Sequence, residues 1–107
     1  MIQDLELKHQ VREILRIIQQ MAPGISVEIR IPAYAAIQCI AGKNHRRGTP
    51  PNVVEMNGQT LIKLFNDPSL WEQLRLQGDI AASGASSNLS DLFTEIGKLN
   101  PINFERK

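Results

Sequence analysis

The sequence lacks the residues on which several classes of small protein depend. A single cysteine, Cys39, excludes an internal disulfide and a cysteine-based zinc cluster. No run of eighteen apolar residues occurs, so the sequence predicts no transmembrane segment. Asp4 and Glu6 stand where a signal peptide would have its cationic start and apolar run. We therefore expect a cytoplasmic protein.

An excess of charge of one sign is absent, and so are catalytic motifs. The formal net charge is +1, from 12 Lys and Arg against 11 Asp and Glu, which gives no reason to expect a nucleic-acid partner. The sequence has no phosphate-binding glycine loop, no nucleophile elbow and no paired metal-ligand histidines. Neither His9 nor His45 has an evident acidic partner in the sequence. We therefore expect no catalytic residues, no metal and no cofactor.

The apolar residues present are sufficient for one domain over residues 1–107, because 42% of the chain is hydrophobic. Apolar residues at spacings of three and four predict an amphipathic helix over Gln3–Met21, which Pro23-Gly24 ends. Alternation predicts a strand at Val27–Ile31 and a second one at Tyr34–Ala41, joined as a hairpin around Pro32-Ala33. The first helix is expected to pack on the core, with a dimer seam or a membrane-surface role as alternatives.

The second half of the chain predicts the order strand, helix, helix, strand, helix, so that the sheet and its helices occupy residues 26–99. The first predicted elements are a strand at Val53–Met56, a helix from its cap Asn57 to Asn66 and a helix from Asp67-Pro68 to Gly78. They are followed by a strand at Asp79–Ser83 and by a helix that is capped by Ser86 or Ser87 and ends at Asn100-Pro101. The alternation of these patterns predicts an α/β (α+β) fold.

The chain has one cluster of basic residues, in the segment Gly42–Pro51. It contains Lys43, His45, Arg46 and Arg47. One interpretation is a solvated loop between two strands. The other is an anion site, in which Arg46 or Arg47 binds a carboxylate or phosphate through its planar guanidinium group.

Two stretches resemble a known family. The run GDIAASG at residues 78–84 and the block HRRGTPPNVVE at residues 45–55 are similar to the sterol carrier protein 2 family, and the block is closest to its bacterial orthologue branch. The resemblance covers about Ser26–Ile96. It implies a single domain with a curved mixed sheet of about four strands, covered by helices, and an apolar cavity between them. A typical member has an additional strand where Gly42–Pro51 is predicted to be a loop.

The resemblance also implies a function, which is the non-enzymatic binding of a lipid or acyl-type small molecule. Six apolar residues are the candidates to line or close the cavity, although each also fits an ordinary core position: Phe65, Trp71, Leu74, Leu92, Phe93 and Ile96. Four polar residues are the candidates to orient an acidic head group: His45, Arg46, Arg47 and Asn52. The alternatives are an accessory domain acting with a bacterial thiol-dependent isomerase, and a protein-interaction module that forms a homodimer.

Overall fold

The computed structural model describes residues 2–42 and 52–99, which form four helices, a 3-10 turn and four strands. In chain order the elements are α1 (Ile2–Met21), β1 (Val27–Ile31), β2 (Ala35–Cys39), β3 (Asn52–Met56), α2 (Gly58–Asn66), the 3-10 turn (Pro68–Leu70), α3 (Trp71–Leu76), β4 (Ile80–Ser83) and α4 (Ser90–Leu99). Each predicted helix and strand has a counterpart, so the sequence patterns located the elements correctly.

The strands form one mixed sheet in the order β2-β1-β3-β4. β1 pairs with β2 and β3 pairs with β4 in antiparallel fashion, whereas β1 and β3 run parallel. The helices supply the rest of the structure, so the fold is α+β, and the predicted fold class is confirmed. The hairpin is also confirmed, because Ile31 pairs with Ala35 across a turn centred on Pro32-Ala33.

The two faces of the sheet differ because side chains alternate along each strand. The helix-covered face carries apolar residues that join the buried residues of the helices in one core: Val27, Ile29, Ile31, Cys39, Val54, Met56 and Ile80. The opposite face, which we call the outer face, carries residues of the alternate register: Glu28, Arg30, Ala36, Gln38, Val53, Glu55 and Ala81. The domain therefore has two layers, with the core between sheet and helices.

The central turns of α1 are buried, and its ends are not. Val11, Ile14 and Ile18 are fully buried, as their spacing predicts. Leu5 and Met21 also lie within the predicted amphipathic helix, but they are 57% and 38% exposed. They lie in the end turns, beyond the stretch of helix that packs on the core.

Two strands are shorter than predicted, because turn conformations and backbone contacts outside the strand pairing end them. Tyr34 lies in the hairpin turn, where its N–H donates to the carbonyl of Ile31 at 2.9 Å. Ile40 has a φ of +67°, which is incompatible with a continuing strand. The N–H of Asp79 donates to the carbonyl of Leu74 at 2.9 Å and closes α3 instead of starting β4.

The helix starts agree with the predicted caps in two places. The Oδ1 atom of Asn57 accepts a hydrogen bond from the N–H of Thr60 at 2.8 Å, which is the predicted N-cap of α2. The Oδ1 atom of Asp67 accepts from the N–H of Ser69 at 3.2 Å, as a cap should. However, Pro68 opens a 3-10 turn, and the α-helix begins only at Trp71.

The predicted cap of the last helix is wrong. α4 begins at Ser90, and Asn88 accepts hydrogen bonds from the N–H and the hydroxyl of Ser90 at 2.9 and 2.7 Å. Ser87 is too far upstream, and its hydroxyl donates within the preceding turn, to the carbonyl of Gly84. A local Asx turn thus takes the place of the predicted serine cap.

Candidate functional site

The six apolar candidates come from three helices, and the structure brings them to the same core. Five are buried, and Leu92 is half-buried and packs against them: Phe65 on α2, Trp71 and Leu74 on α3, and Phe93 and Ile96 on α4. Their placement fits both the lining of a cavity and an ordinary core. Their role in binding a ligand stays a prediction.

Trp71 differs from the other five, because it carries a polar atom into the core. The residue is 3% exposed, and its indole Nε1 has no hydrogen-bond partner in the described part of the chain. Trp71 is the first residue of α3 and directly follows the 3-10 turn, which contacts both α2 and α4. A buried indole N–H normally finds an acceptor, and leaving a buried donor unpaired costs about 1–3 kcal/mol. The side chain therefore offers a donor for which the described residues supply no acceptor.

Asn52 was predicted to orient a head group, and the structure places its amide between two backbone segments. The residue is 6% exposed. Its Nδ2 donates to the carbonyl of Ser26 at 2.9 Å, and its Oδ1 accepts from the N–H of Ser86 at 2.8 Å. One N–H and one lone pair of the amide remain for other partners. The amide clearly ties the fold together, while its role toward a ligand stays a prediction.

The other three head-group candidates, His45, Arg46 and Arg47, lie outside the described residues, and so does nearly all of the predicted loop. The described residues on either side of it, Gly42 and Asn52, both lie beside Ser26. A Cβ atom added at Gly42 would be 2.5 Å from the Cβ of Ser26, and Asn52 bonds the Ser26 carbonyl. The segment therefore leaves and rejoins the described structure at one point, next to Asn52.

A concavity that the sequence did not point to lies on the outer face beside the hairpin. It is an open groove of about 600 Å³. Its lining comes from β1, the hairpin turn, the start of β2 and one residue of β3: Glu28, Arg30, Ile31, Pro32, Ala33, Tyr34, Ala35, Ala36 and Glu55. The alternation in β1 did predict that Glu28 and Arg30 point away from the core. The pairing of β1 with β3, which places Glu55 beside Arg30, had no signal in the sequence.

The charges of this groove are partly paired. Arg30 donates through Nε and Nη2 to the two carboxylate oxygens of Glu28, at 3.2 and 3.4 Å. The pKa of the Arg30 guanidinium is raised, first by its hydrogen bond to Glu28 and second by the charge of Glu28. The charge of Glu55 adds a smaller effect in the same direction. In the described part of the chain, Glu55 itself has no hydrogen bond from a cationic side chain.

Cys39 fits the interpretation of a small core residue. It is fully buried on β2, and burial raises the pKa of its thiol to about 11. Because the thiolate is the reactive form, this side chain is nearly inert at neutral pH.

The described residues also bear on metal binding and on membrane insertion. Within residues 2–42 and 52–99, no group of three or more His, Cys, Asp and Glu side chains is placed to hold a metal ion. No described helix has both the length and the apolar composition needed to cross a bilayer. The alternative of a dimer seam on α1 stays a prediction; among the described side chains of α1, the exposed large apolar residues Leu5 and Met21 are separated by about 24 Å along the axis.

Comparison with known proteins gives the family. No curated protein matches the chain. A family model described as "Bacterial SCP ortholog" matches residues 4–94, which run from the first turn of α1 into α4. This match confirms the resemblance that residues 45–55 and 78–84 carry. The chain belongs to the bacterial orthologue family of the sterol carrier proteins.

Proposed function

We propose that this protein is a non-enzymatic binding domain for a lipid or acyl-type amphiphile. The apolar part of the ligand inserts between the sheet and the helices, among Phe65, Trp71, Leu74, Leu92, Phe93 and Ile96. Family membership supports the ligand class. The observation that carries the proposal is the unpaired indole N–H of Trp71 within an otherwise apolar core.

The unpaired donor defines one property of the ligand. An acyl chain alone would leave the N–H of Trp71 without a partner, whereas a carbonyl, carboxylate or hydroxyl oxygen would accept a hydrogen bond from it. That bond forms out of contact with water, where the unpaired donor is costly, so it favours the bound state. The ligand is therefore amphipathic, with an oxygen acceptor placed within the apolar layer.

We infer that the helix that carries Trp71 moves to admit such a ligand. α3 has only six residues and is joined to α2 through the 3-10 turn. At its other end Gly78 has a φ of +86°, and nothing lies within 4 Å of its Cβ position. A helix this short is stabilised by packing rather than by its own hydrogen bonds, so a ligand that replaces the packing displaces it at low cost.

A direct test is native mass spectrometry of the purified protein, followed by titration of the delipidated protein with a dansyl-labelled fatty acid. We expect a co-purifying lipid and saturable binding. Trp71→Phe keeps the aromatic bulk and removes the N–H, and it should weaken binding by at least about fivefold. The matched control is Leu76→Ala, which changes a 71% exposed side chain on the same helix and should leave affinity unchanged.

Two results would contradict the proposal. One is the absence of both co-purifying lipid and fatty-acid binding. The other is equal affinity of the wild type and Trp71→Phe. That result would show that the indole N–H does not contact the ligand.

A further inference from the structure

The outer-face groove is separate from the helix-covered core and belongs to no part of the proposed function. Its volume of about 600 Å³ is in the range of small-molecule sites. It lies on the face of the sheet that the described helices leave open. The groove therefore offers a second binding surface on the domain.

Small side chains create the space. Ala36 lies directly across from Arg30 in the β1–β2 pairing, so the guanidinium has a methyl group as its neighbour on β2. Ala33 and Pro32 form the turn at one end of the groove, and Ala33 adopts a φ of +74°, which is unfavourable for alanine. Tyr34 also lines the groove, and it is half-buried because it packs against the core cluster as well. The wall is thus apolar and aromatic at the hairpin end.

The charged residues at the other end leave an excess of negative charge. Glu28 and Arg30 neutralise each other through two hydrogen bonds. Glu55 faces Arg30 across the parallel pairing and has no such bond within the described residues. An anionic ligand would meet two carboxylates and a guanidinium that is already paired. A cationic ligand would meet the carboxylate of Glu55, which lies near the Arg30 charge but accepts no hydrogen bond from it, so charge complementarity favours the cation.

We propose that the groove binds a small organic ammonium ion. The ammonium group donates hydrogen bonds to the carboxylate of Glu55, and the apolar body of the ligand packs on the alanines and on the ring of Tyr34. An aromatic ring also attracts a cation through its π face, which adds to the same preference. Because the groove is open, binding is weak and sensitive to salt.

The test uses 2-phenylethylammonium chloride as the probe and ¹H–¹⁵N correlation spectra of the full chain as the readout. We expect saturable shifts at the amides of residues 28–36 and 55, and weaker binding when the salt concentration is raised. Phenylacetate and 2-phenylethanol have the same ring and carry a negative charge or no charge. They should cause much smaller shifts.

Variants locate the site. Glu55→Gln should weaken binding of the probe at least fivefold, and Ala36→Leu should block it by filling the groove from an exposed position. Glu95→Gln removes one exposed carboxylate from α4 and should leave binding unchanged. Glu55→Gln should also leave the affinity for the dansyl fatty acid unchanged, which separates this site from the lipid site.

Shifts of equal size with phenylacetate would overturn the proposal, and so would unchanged affinity in Glu55→Gln. The ligand comparison on the wild type decides the question even if a variant fails to fold. Neither result depends on whether the core binds a lipid.

Discussion

The side-chain amide of Asn52 accepts a hydrogen bond from the backbone N–H of Ser86, 34 residues later in the chain, at 2.8 Å. The same amide donates to the carbonyl of Ser26, 26 residues earlier. One buried side chain thus joins the residue before β1, the first residue of β3 and the turn after β4. These segments meet where residues 43–51 leave and rejoin the described structure.

We expect Asn52→Ala to destabilise the protein by about 2–4 kcal/mol, because it removes both bonds and leaves a backbone donor and acceptor without their partner. Urea titration gives the free energy of unfolding. Asn57→Ala is the matched control, since it also removes an asparagine amide but only one cap bond, and it should cost about 1 kcal/mol. If Asn57→Ala proved more damaging than Asn52→Ala, the tie between the three segments would not be important for stability.

Gly24 is required by a close backbone approach. Its φ is +149°, and an added Cβ would lie 2.1 Å from the carbonyl carbon and oxygen of Ile40. Those atoms cannot move freely, because the carbonyl of Ile40 accepts two hydrogen bonds from Ser26 and its N–H donates to Ala22. We therefore expect Gly24→Ala to cost about 2–3 kcal/mol.

Gly97 provides the contrasting alanine substitution. It lies in α4, and nothing is within 4 Å of its Cβ position. Gly97→Ala should therefore stabilise the protein by about 0.5–1 kcal/mol through helix propensity alone. Thermal unfolding of both variants measures the difference, and a similar change in the two would show that the contact with Ile40 does not constrain Gly24.

The sequence predicted the elements well and their ends less well, for an identifiable physical reason. Periodicity is a local signal, and it located each strand and helix. β2 ends before Ile40, whose backbone is hydrogen-bonded to Ala22 and Ser26, residues far away in the sequence. Likewise, the turn that holds Ser86 upstream of α4 depends partly on the bond from its N–H to Asn52, 34 residues earlier in the chain.

The same distinction applies to the candidate sites. The helical patterns predicted the apolar cluster and the burial of Trp71, because each helix shows its own apolar stripe. No local pattern shows that the indole N–H of Trp71 lacks a partner. The groove was missed because it depends on the parallel pairing of β1 with β3, which brings Glu55 beside Arg30.

The buried thiol of Cys39 gives a prediction for stability at high pH. Its pKa is raised from 9.0 to about 11 by burial, so the folded protein holds the proton when the unfolded chain has already lost it. The contribution of the protonated thiol is fully present below pH 9 and is lost as pH rises through 11. The stability advantage of the wild type over Cys39→Ala should therefore shrink between pH 9 and pH 11.

The measurement is urea unfolding of both proteins under reducing conditions at several pH values. Other groups that titrate in this range are common to both proteins and cancel in the difference. A difference that stays constant from pH 8 to pH 11 would show that burial does not hold the proton on Cys39.

The basic segment gives the last prediction, which concerns the head group of the proposed ligand. Lys43, His45, Arg46 and Arg47 lie within five positions, flanked by Gly42 and Gly48 and followed by the stiff pair Pro50-Pro51. If guanidinium groups there bind a carboxylate or phosphate, each charge-assisted bond adds roughly 1.5–3 kcal/mol before solvent screening. We therefore expect the Arg46→Ala/Arg47→Ala double variant to bind a dansyl fatty acid more weakly than the wild type, by at least about fivefold at low salt.

The effect should shrink with added salt, because exposed charges are screened. The melting temperature should change little, since both arginines are expected at the surface. The matched control is Lys8→Ala/Arg12→Ala, which removes the same charge from α1 and should leave affinity nearly unchanged. Equal affinity of the wild type and the Arg46→Ala/Arg47→Ala variant at low salt would favour a solvated loop. An equal loss in both double variants would assign the effect to net charge, since a head-group site requires a loss specific to residues 46 and 47.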